Sequence, residues 1–434
     1  MKGLNIPNNY LLSGSLIGLA LGLILGIIAK QADSSFLVSF SESLLPAGVL
    51  WINALRMIVI PLVVAYIVSA VASFAELKST FRIGGSAIFI HLIFICSGIA
   101  LLTFLSPIVV SHFKVTPEIT QALSNQSIEI PLPGRDGESP GIFDSIAYLL
   151  PQNLFSAAAN EEIFPLVIAT ILFSLALTQI SGKGRKIITG FFDALIETLH
   201  VLIGWILMAM PFAVFILIFS MATTAGTQLL SALIFFVVAY VSLTVFLILL
   251  FYTITPLFGK VSLQNFARGL IPAQTVAVGT RSSMASLPAL IEGARERLKL
   301  PEQVFGLVMP LSVSMFKMNK AVSGPLQLFF LAHIYGIQLD GITVALFIIG
   351  YILFSFIEPG IPSGATMTAF PLYVAAGIPI EGYVILKTVD AIPDIFKTLI
   401  NVTEDMSVAV IVTRFLPREQ AASEPIAEAQ HINT

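Results

Sequence analysis

The segment Asp390-Ala-Ile-Pro-Asp394-Ile-Phe-Lys397-Thr-Leu-Ile-Asn401-Val-Thr-Glu-Asp405 decides the fold, because it puts ionisable side chains inside a strongly apolar stretch. At 100° per residue, Asp390, Asp394, Lys397, Asn401 and Asp405 share an arc of about 80° on one helix, here called the polar stripe. Charges facing lipid are costly, so we expect the stripe to line a polar cavity. The alternative is a ladder within the helix, with Lys397 paired to Asp390 or Asp394.

The composition places this stripe in a polytopic membrane protein. Of 434 residues, 56% are hydrophobic and 11% are charged, too few for the charged coat of a soluble domain. The net charge of −3 suggests no nucleic-acid partner, and the sequence contains no recognisable enzyme motif or zinc spacing. Charge-free runs predict membrane helices at 3–29, 57–75, 83–113, 163–182 and 198–259, the last divided in two at 222–228, and the beginning of another at 303–316. The final helix is predicted at 382–413, although this segment carries charges.

Two further segments are apolar but broken in the middle by polar or Pro/Gly-rich residues. Residues 341–380 are interrupted at 358–364, and residues 262–296 at 281–288. Such breaks are tolerated at membrane depth only where protein or water surrounds them, so both segments predict re-entrant hairpins. The alternative is that both breaks are ordinary loops between short helices.

Positive charge gives the predicted orientation. Most of the 22 Lys and Arg residues fall in loops that lie inside if the N-terminus is inside, which favours cytoplasmic N- and C-termini. The expected location is the cell (inner or plasma) membrane, with the lipid bilayer as a partner. The polar loop 112–141 is then an outer insertion, and residues 415–434 are a disordered cytoplasmic tail.

Two half-helix hairpins that meet a polar helix at mid-depth are typical of secondary transporters. Ser282, Ser283 and Ser286 at the first tip offer hydroxyl groups to a carboxylate. Gly360, Pro362 and Gly364 at the second tip give a mobile backbone that is suited to a gate.

The chain resembles the dicarboxylate/amino acid:cation symporter family, the glutamate transporter homologues. Residues 390–405 are similar to the family's Asp-x-x-x-Asp-x-x-Arg-Thr-x-x-Asn-Val-x-x-Asp, and residues 281–288 to its Ser-Ser-x-x-Thr-Leu-Pro. Residues 359–364 resemble its Gly-Val-Pro-Gly turn. The segments Arg56-Met-Ile-Val-Ile-Pro-Leu-Val63 and Pro151-Gln-Asn-Leu-Phe155 also look like family signatures.

The resemblance implies an all-α fold of eight transmembrane helices and two opposed hairpins, built from inverted repeats and assembled as a homotrimer. It implies a scaffold at 1–110 and 187–257, an outer loop and fourth-helix region at 111–186 that belongs partly to the transport domain, and a transport core at 258–414. In the family the transport domain carries its cargo across the membrane in an elevator motion, and the second hairpin is the gate.

The resemblance also implies the site residues. The expected substrate-binding residues are Arg281, Ser282, Ser283, Ile361, Pro362, Asp394, Lys397, Thr398 and Asn401. The expected ion or ion-substitute site is Lys317, Asn319, Lys320, Asp390, Asn401 and Asp405, and the gate is Ser355, Glu358, Gly360 and Gly364. Glu358 stands where the family usually has a small hydroxyl residue. It is expected to pair with a lysine across the site or to take up a proton when the gate closes; the alternative is a carboxylate that faces solvent.

Two departures from the family pattern shape the functional prediction. Carriers of acidic amino acids have Arg where this chain has Lys397, so we expect relaxed side-chain selectivity. Sodium-coupled members carry Asn-Met-Asp-Gly-Thr in the seventh helix, where this chain reads Phe316-Lys-Met-Asn-Lys320. Transport is therefore expected to be independent of sodium, through proton coupling or exchange and without another cofactor. A shifted alignment would instead make Asn319 the motif's asparagine.

The sequence thus predicts a secondary transporter for a small acidic or polar amino acid, whose ammonium group binds Asp394. The alternatives are a sodium-coupled dicarboxylate or amino acid symporter, an uncoupled anion pore on the same fold, and a membrane sensor. His91, His112, His200, His333 and His431 are scattered, and each is expected to be a packing or interfacial residue.

Overall fold

The computed structural model describes residues 8–76, 83–119, 150–160, 162–355 and 369–414. This part of the chain is helical and contains no strand. The helices that carry the argument are α1 Asn8–Gln31, α2 Ser35–Glu76, α3 Ile83–Val110, α4 Leu154–Ala159, α5 Ile163–Leu177, α6 Gly182–Met208, α7 Met210–Ala225, α8 Thr227–Gly259, α9 Leu263–Thr280, α10 Ser283–Glu292, α11 Glu302–Met315, α12 Lys320–Tyr335, α13 Gly341–Ser355, α14 Phe370–Ala375, α15 Ile380–Thr388 and α16 Ala391–Thr413.

Five helices in the described residues are long and apolar enough to cross a membrane, and they lie in α1, α2, α3, α6 and α8. Large apolar side chains on these helices are exposed, including Leu50 in α2 and Phe104 in α3, as expected of surfaces that face lipid. The chain is therefore a multi-pass membrane protein. The total of eight transmembrane helices stays a prediction.

The predicted helices at the N-terminal end of the chain are present, with different limits. The helix expected at 57–75 begins much earlier, at Ser35, and continues through Pro46 and Pro61 to Glu76. The predicted division of 198–259 lies at Gly226, whose φ of 59° is accessible to glycine at little cost. The run is divided a second time, at Ala209 between α6 and α7, so it holds parts of three helices and not two. The helix expected at 163–182 ends at Leu177.

Packing divides the helices into two groups. Helix α1 packs along α7, and α2 packs against α5, α6 and α7. Helices α3 and α8 instead pack chiefly on the C-terminal elements: α3 on α11, α12 and α16, and α8 on α16. The polar stripe of α16 is thus enclosed by α3, α8 and the elements between α9 and α12. The scaffold limits 1–110 and 187–257 stay a prediction.

The first broken segment forms a helical hairpin of α9 and α10, which pack on each other. The break is confined to Arg281 and Ser282, and Pro288 lies inside α10 instead of in the break. A Cβ atom at Gly293 would lie 1.9 Å from the carbonyl oxygen of Gly269, so only glycine permits this approach of the two arms.

The sequence predicted one continuous last helix at 382–413, and this prediction is wrong. The segment consists of α15 and α16, separated at Val389 and Asp390. Pro393 has no N–H to donate to the carbonyl group of Val389, four residues earlier, and this accounts for the interruption. The break places Asp390 at the start of α16.

Candidate substrate and ion site

The tip of the first hairpin presents a helix N-terminus at its break. Arg281 adopts a left-handed conformation with φ of 53°, which ends α9. Ser282 caps α10, because its hydroxyl oxygen accepts a hydrogen bond from the Ala285 N–H at 3.2 Å. The Ser286 hydroxyl donates to the carbonyl oxygen of Ser282 at 2.9 Å, and Ser283 is buried. The first turn of α10 thus presents backbone N–H groups to an anion, although the Ser282 N–H itself donates to the Thr280 hydroxyl at 3.3 Å. The binding roles of Ser282 and Ser283 stay predictions.

The ammonium group of Lys397 forms an ion pair with the carboxylate of Asp390, seven residues earlier on the same face. This pairing is the ladder that the sequence left open as an alternative. Both side chains are mostly buried, at 8% and 14% exposure. Lys397 also lies 5.8 Å from the ring centroid of Tyr240 on α8. Lys397 is therefore held from two sides before any substrate binds.

Asp394 lies one turn from this pair and is partly exposed. Its carboxylate is within electrostatic reach of Lys397, Asp390, Arg281 and Lys387. The ion pair between Lys397 and Asp390 leaves Asp394 as a second carboxylate beside the first hairpin. One turn later, the Thr398 hydroxyl donates to the Asp394 carbonyl oxygen at 3.0 Å. This arrangement presents a carboxylate near cationic groups, as a zwitterionic or anionic ligand requires.

Two more lysines approach Asp390 from neighbouring elements. Lys320 lies 5.5 Å from the ring centroid of Tyr351, and Lys387 lies 4.9 Å from that of Tyr383. Lys397, Lys387 and Lys320 all act electrostatically on Asp390. A tyrosine ring stabilises a partly dehydrated ammonium group through its negative face. The first hairpin, the two lysines and the N-terminal half of α16 thus form a region with more cationic than anionic groups. We call it the substrate cluster: Arg281, Lys320, Lys387, Asp390, Asp394 and Lys397. The N-terminal half of α16 is called outer and the C-terminal half inner, after the predicted orientation.

The break between α11 and α12 faces the inner half of the polar stripe. The backbone N–H of Asn319 donates to Oδ1 of Asn401 at 2.8 Å, which ties the break to α16. Lys317 is buried, and its Nζ donates to the Val313 carbonyl oxygen at 2.5 Å. Lys317 also acts electrostatically on Asp405. The structure thus brings together Lys317, Asn319, Asn401 and Asp405 of the predicted ion site, whereas Lys320 and Asp390 lie with Lys397 and Lys387. The role of these residues as an ion site stays a prediction.

A histidine completes this region. Nδ1 of His91 lies 2.5 Å from Oε1 of Glu404, and its Nε2 lies 2.6 Å from the Ser312 hydroxyl. The ring of Phe316 stacks on the imidazole with a centroid separation of 4.1 Å. We call His91, Ser312, Lys317, Glu404 and Asp405 the inner cluster. Single ligand atoms of His91, Glu404 and Asp405 lie within 4.8 Å of one another. The Lys317 ammonium beside them opposes a divalent cation, so we assign no metal site there.

The second hairpin is only partly described. Ser355 is buried, and its hydroxyl donates to the Ile352 carbonyl oxygen of its own helix at 2.5 Å. The remaining predicted gate and substrate residues of this hairpin lie outside the described residues: Glu358, Gly360, Ile361, Pro362 and Gly364. Their roles stay predictions.

Sequence reasoning missed four residues of these clusters: His91, its partner Ser312, Lys387 and Glu404. It treated His91 as a packing residue, whereas the imidazole is hydrogen-bonded on both nitrogens. It placed Lys387 and Glu404 in the last membrane segment without giving either a role. The adjacent acids Glu404 and Asp405 in an apolar helix were a signal, because two carboxylates at membrane depth need partners.

The sodium:dicarboxylate symporter family model matches residues 11–415. The chain belongs to this family. Among its relatives, the proton/sodium-glutamate symport protein of Geobacillus stearothermophilus is 24% identical over 95% of this chain and 97% of the relative. The proton/glutamate-aspartate symporter of Escherichia coli (strain K12) is 24% identical over 92% and 91% of the two chains. The C4-dicarboxylate transport protein 2 of Ralstonia nicotianae is 27% identical over 92% and 87%.

Family membership confirms the all-α transporter-homologue fold and the prediction that the chain is a transporter and not an enzyme.

Proposed function

We propose that this protein is a secondary transporter for a small acidic or polar amino acid or a C4-dicarboxylate, which it moves in an elevator motion without sodium. The relatives named as glutamate, aspartate and C4-dicarboxylate carriers support this substrate range. Residues 316–320, which depart from the family's sodium motif, support transport that is not coupled to sodium. Lys397, which stands in place of the family's Arg, supports relaxed side-chain selectivity.

The charge of the substrate cluster is the observation that carries the substrate class. Lys397, Lys387, Lys320 and Arg281 act on Asp390 or Asp394, so four cationic groups surround two carboxylates. An anionic substrate would offset the excess of positive charge. A substrate carboxylate would bind the Ser283 N–H and would compete with the Thr280 hydroxyl for the Ser282 N–H, and an α-ammonium group would bind Asp394.

The inner cluster supports independence from sodium. A hard cation needs several oxygen ligands. The break between α11 and α12, which faces Asp405, contributes Lys317 instead of a carboxylate. A tethered ammonium group supplies the positive charge that an ion would otherwise bring. The carrier is then an exchanger or is coupled to protons.

Packing supports an extended moving unit. Helices α3 and α8 enclose the polar stripe: α3 packs on α11, α12 and α16, and α8 packs on α12 and α16. We therefore propose that both helices move with the hairpins, which differs from the sequence-based expectation that residues 83–110 and 227–257 belong to the scaffold. The homotrimer, the cytoplasmic termini and the role of Glu358 in the gate remain parts of this proposal that rest on the sequence.

The test is counterflow in proteoliposomes loaded with unlabelled L-glutamate, L-aspartate or succinate. Labelled substrate should enter against its gradient when the lumen holds the same compound. Flux that follows the gradient without counterflow would indicate an anion pore. Specific binding without flux would indicate a sensor.

A further inference from the structure

The pair of His91 and Glu404 is a polar contact in the core that substrate binding does not use. Both side chains are fully buried, with 0% exposure, and they join α3 to α16. The carboxylate of a glutamate in this position is expensive to bury unless it is paired. No group of the substrate cluster is among the partners that the structure gives to His91.

The contacts of the imidazole allow the pair to hold either one proton or two. The 2.5 Å contact between Nδ1 and Oε1 requires one proton between these atoms. Nε2 faces the Ser312 hydroxyl, which can donate to a bare nitrogen or accept from an N–H. A second proton can therefore bind through a rotation of one hydroxyl group, without movement of heavier atoms.

Two charged groups face the pair from the elements that pack around it. Asp405 follows Glu404 on α16, and Lys317 lies at the break after α11; both act electrostatically on His91. Within the described part of the chain, three carboxylate oxygens here have no hydrogen-bond partner: both oxygens of Asp405 and Oε2 of Glu404. With Lys317 charged and Asp405 ionised, the pair carries a net charge of −1 that one added proton neutralises.

The pair also touches the element that leads to the substrate. Phe316, which stacks on His91, is the first residue of the break between α11 and α12. Asn319 in the same break donates to Asn401, which lies one turn after Lys397 on α16. A change of charge at His91 therefore acts on a segment that also contacts the substrate-bearing face of α16.

We infer that the His91–Glu404 pair is the binding site for a transported proton. The proton adds to the pair when the substrate is bound and leaves it on the other side of the membrane. This inference rests on the proposed transport function and names the ion that drives it.

The experiment uses the full chain in proteoliposomes with a pH-sensitive dye in the lumen and labelled L-aspartate or succinate outside. Exchange of labelled for unlabelled substrate at equal pH measures the transport motion without net proton movement. Net uptake with an acidic exterior measures proton coupling, and one pH unit supports about tenfold accumulation for one proton per substrate. Wild-type protein should show both, with acidification of the lumen.

Glu404→Gln keeps the size of the side chain and removes its titratable group. We expect measurable exchange, with accumulation reduced to the level found without a pH gradient and no substrate-dependent acidification. If this variant does not fold, His91→Gln carries the same test from the other partner. Glu381→Gln is the matched control, because Glu381 is a buried glutamate on α15, outside both clusters, and should keep coupled uptake.

The possible failures are distinguishable. A wild-type protein without exchange or uptake would overturn the proposed transport function. If the wild type exchanges substrate but a pH gradient drives no net accumulation, proton coupling is overturned and the transport function is not. Undiminished pH-driven accumulation in the Glu404 and His91 variants would overturn the assignment of this site. Loss of exchange in both variants would also overturn it, because the pair would then be needed for the motion itself.

Discussion

The two ends of the polar stripe contain similar charges in different surroundings. At the outer end, Asp390 and Lys397 pair directly, and Asp394 beside them is partly exposed. At the inner end, Asp405 is fully buried, and both its oxygens lack a hydrogen-bond partner within the described residues.

The difference suggests a division of work along one helix. A partly hydrated ion pair can exchange partners with a substrate at modest cost, because water screens the separated charges. A fully buried carboxylate needs a permanent counter-charge, which Lys317 supplies. The outer end is thus suited to a substrate that arrives and leaves, whereas Lys317 at the inner end is a charge that stays with the protein.

The largest effect should come from Lys317→Met. The substitution removes the cationic neighbour of a buried carboxylate whose oxygens accept no hydrogen bond within the described residues, so the cost should be below the about 3–5 kcal/mol of breaking a hydrogen-bonded buried pair. We expect a lower melting temperature in detergent and loss of uptake. Lys320→Met is the matched control at the outer end, where Lys397 still pairs with Asp390, and it should lower the melting temperature less. Equal melting of Lys317→Met and wild type would contradict the counter-charge role.

The comparison of the two ends also shows what a sequence can predict. The helical period correctly placed Asp390 and Lys397 on one face, because their spacing is local to the chain. The break between Thr388 and Ala391 was not predicted, because the helical period of the charges continues across it and only Pro393 marks the interruption. The partners of the inner cluster lie on α3, α11 and α16, and no pattern within one helix links His91 to Glu404 across 313 positions.

A second limit concerns the choice between local alternatives. The sequence allowed Lys397 to pair with Asp390 or with Asp394, because both lie on the same face. The structure selects Asp390, which the interruption of the helix places at the start of α16. The decision therefore depended on backbone geometry that the periodicity did not contain.

The next largest effect is expected from Asp394→Asn, which tests the outer end. If Asp394 binds the substrate ammonium, its loss removes a charge-assisted hydrogen bond of about 1.5–3 kcal/mol. Amino acid affinity measured by calorimetry should fall about 10- to 100-fold, while succinate affinity should be little changed. Equal weakening of both ligands would mean that Asp394 only balances the neighbouring cations.

A smaller effect is expected from Lys397→Arg, which changes the shape of the outer cation and keeps its charge. Lysine is a point charge, whereas arginine holds a carboxylate through two parallel hydrogen bonds. In a competition series of aspartate, glutamate, asparagine, glutamine and serine, we expect the wild type to accept amide and hydroxyl side chains. The ratio of aspartate affinity to asparagine affinity should be about tenfold higher in the variant than in the wild type, equivalent to about 1.4 kcal/mol. A wild type that is already strictly selective for aspartate would contradict the relaxed selectivity.

The smallest expected effect is that of sodium, and it tests the inner end. Initial rates of uptake into proteoliposomes should be equal in sodium, potassium and choline buffers of the same ionic strength. Lys317 carries a positive charge beside Asp405, and a second cation in the same space would be repelled. The Asn319 N–H already occupies Oδ1 of Asn401, so that oxygen is engaged within the protein. A clear dependence of substrate affinity on sodium would refute the substitution of an ion by Lys317, and would favour the shifted alignment in which Asn319 is the motif's asparagine.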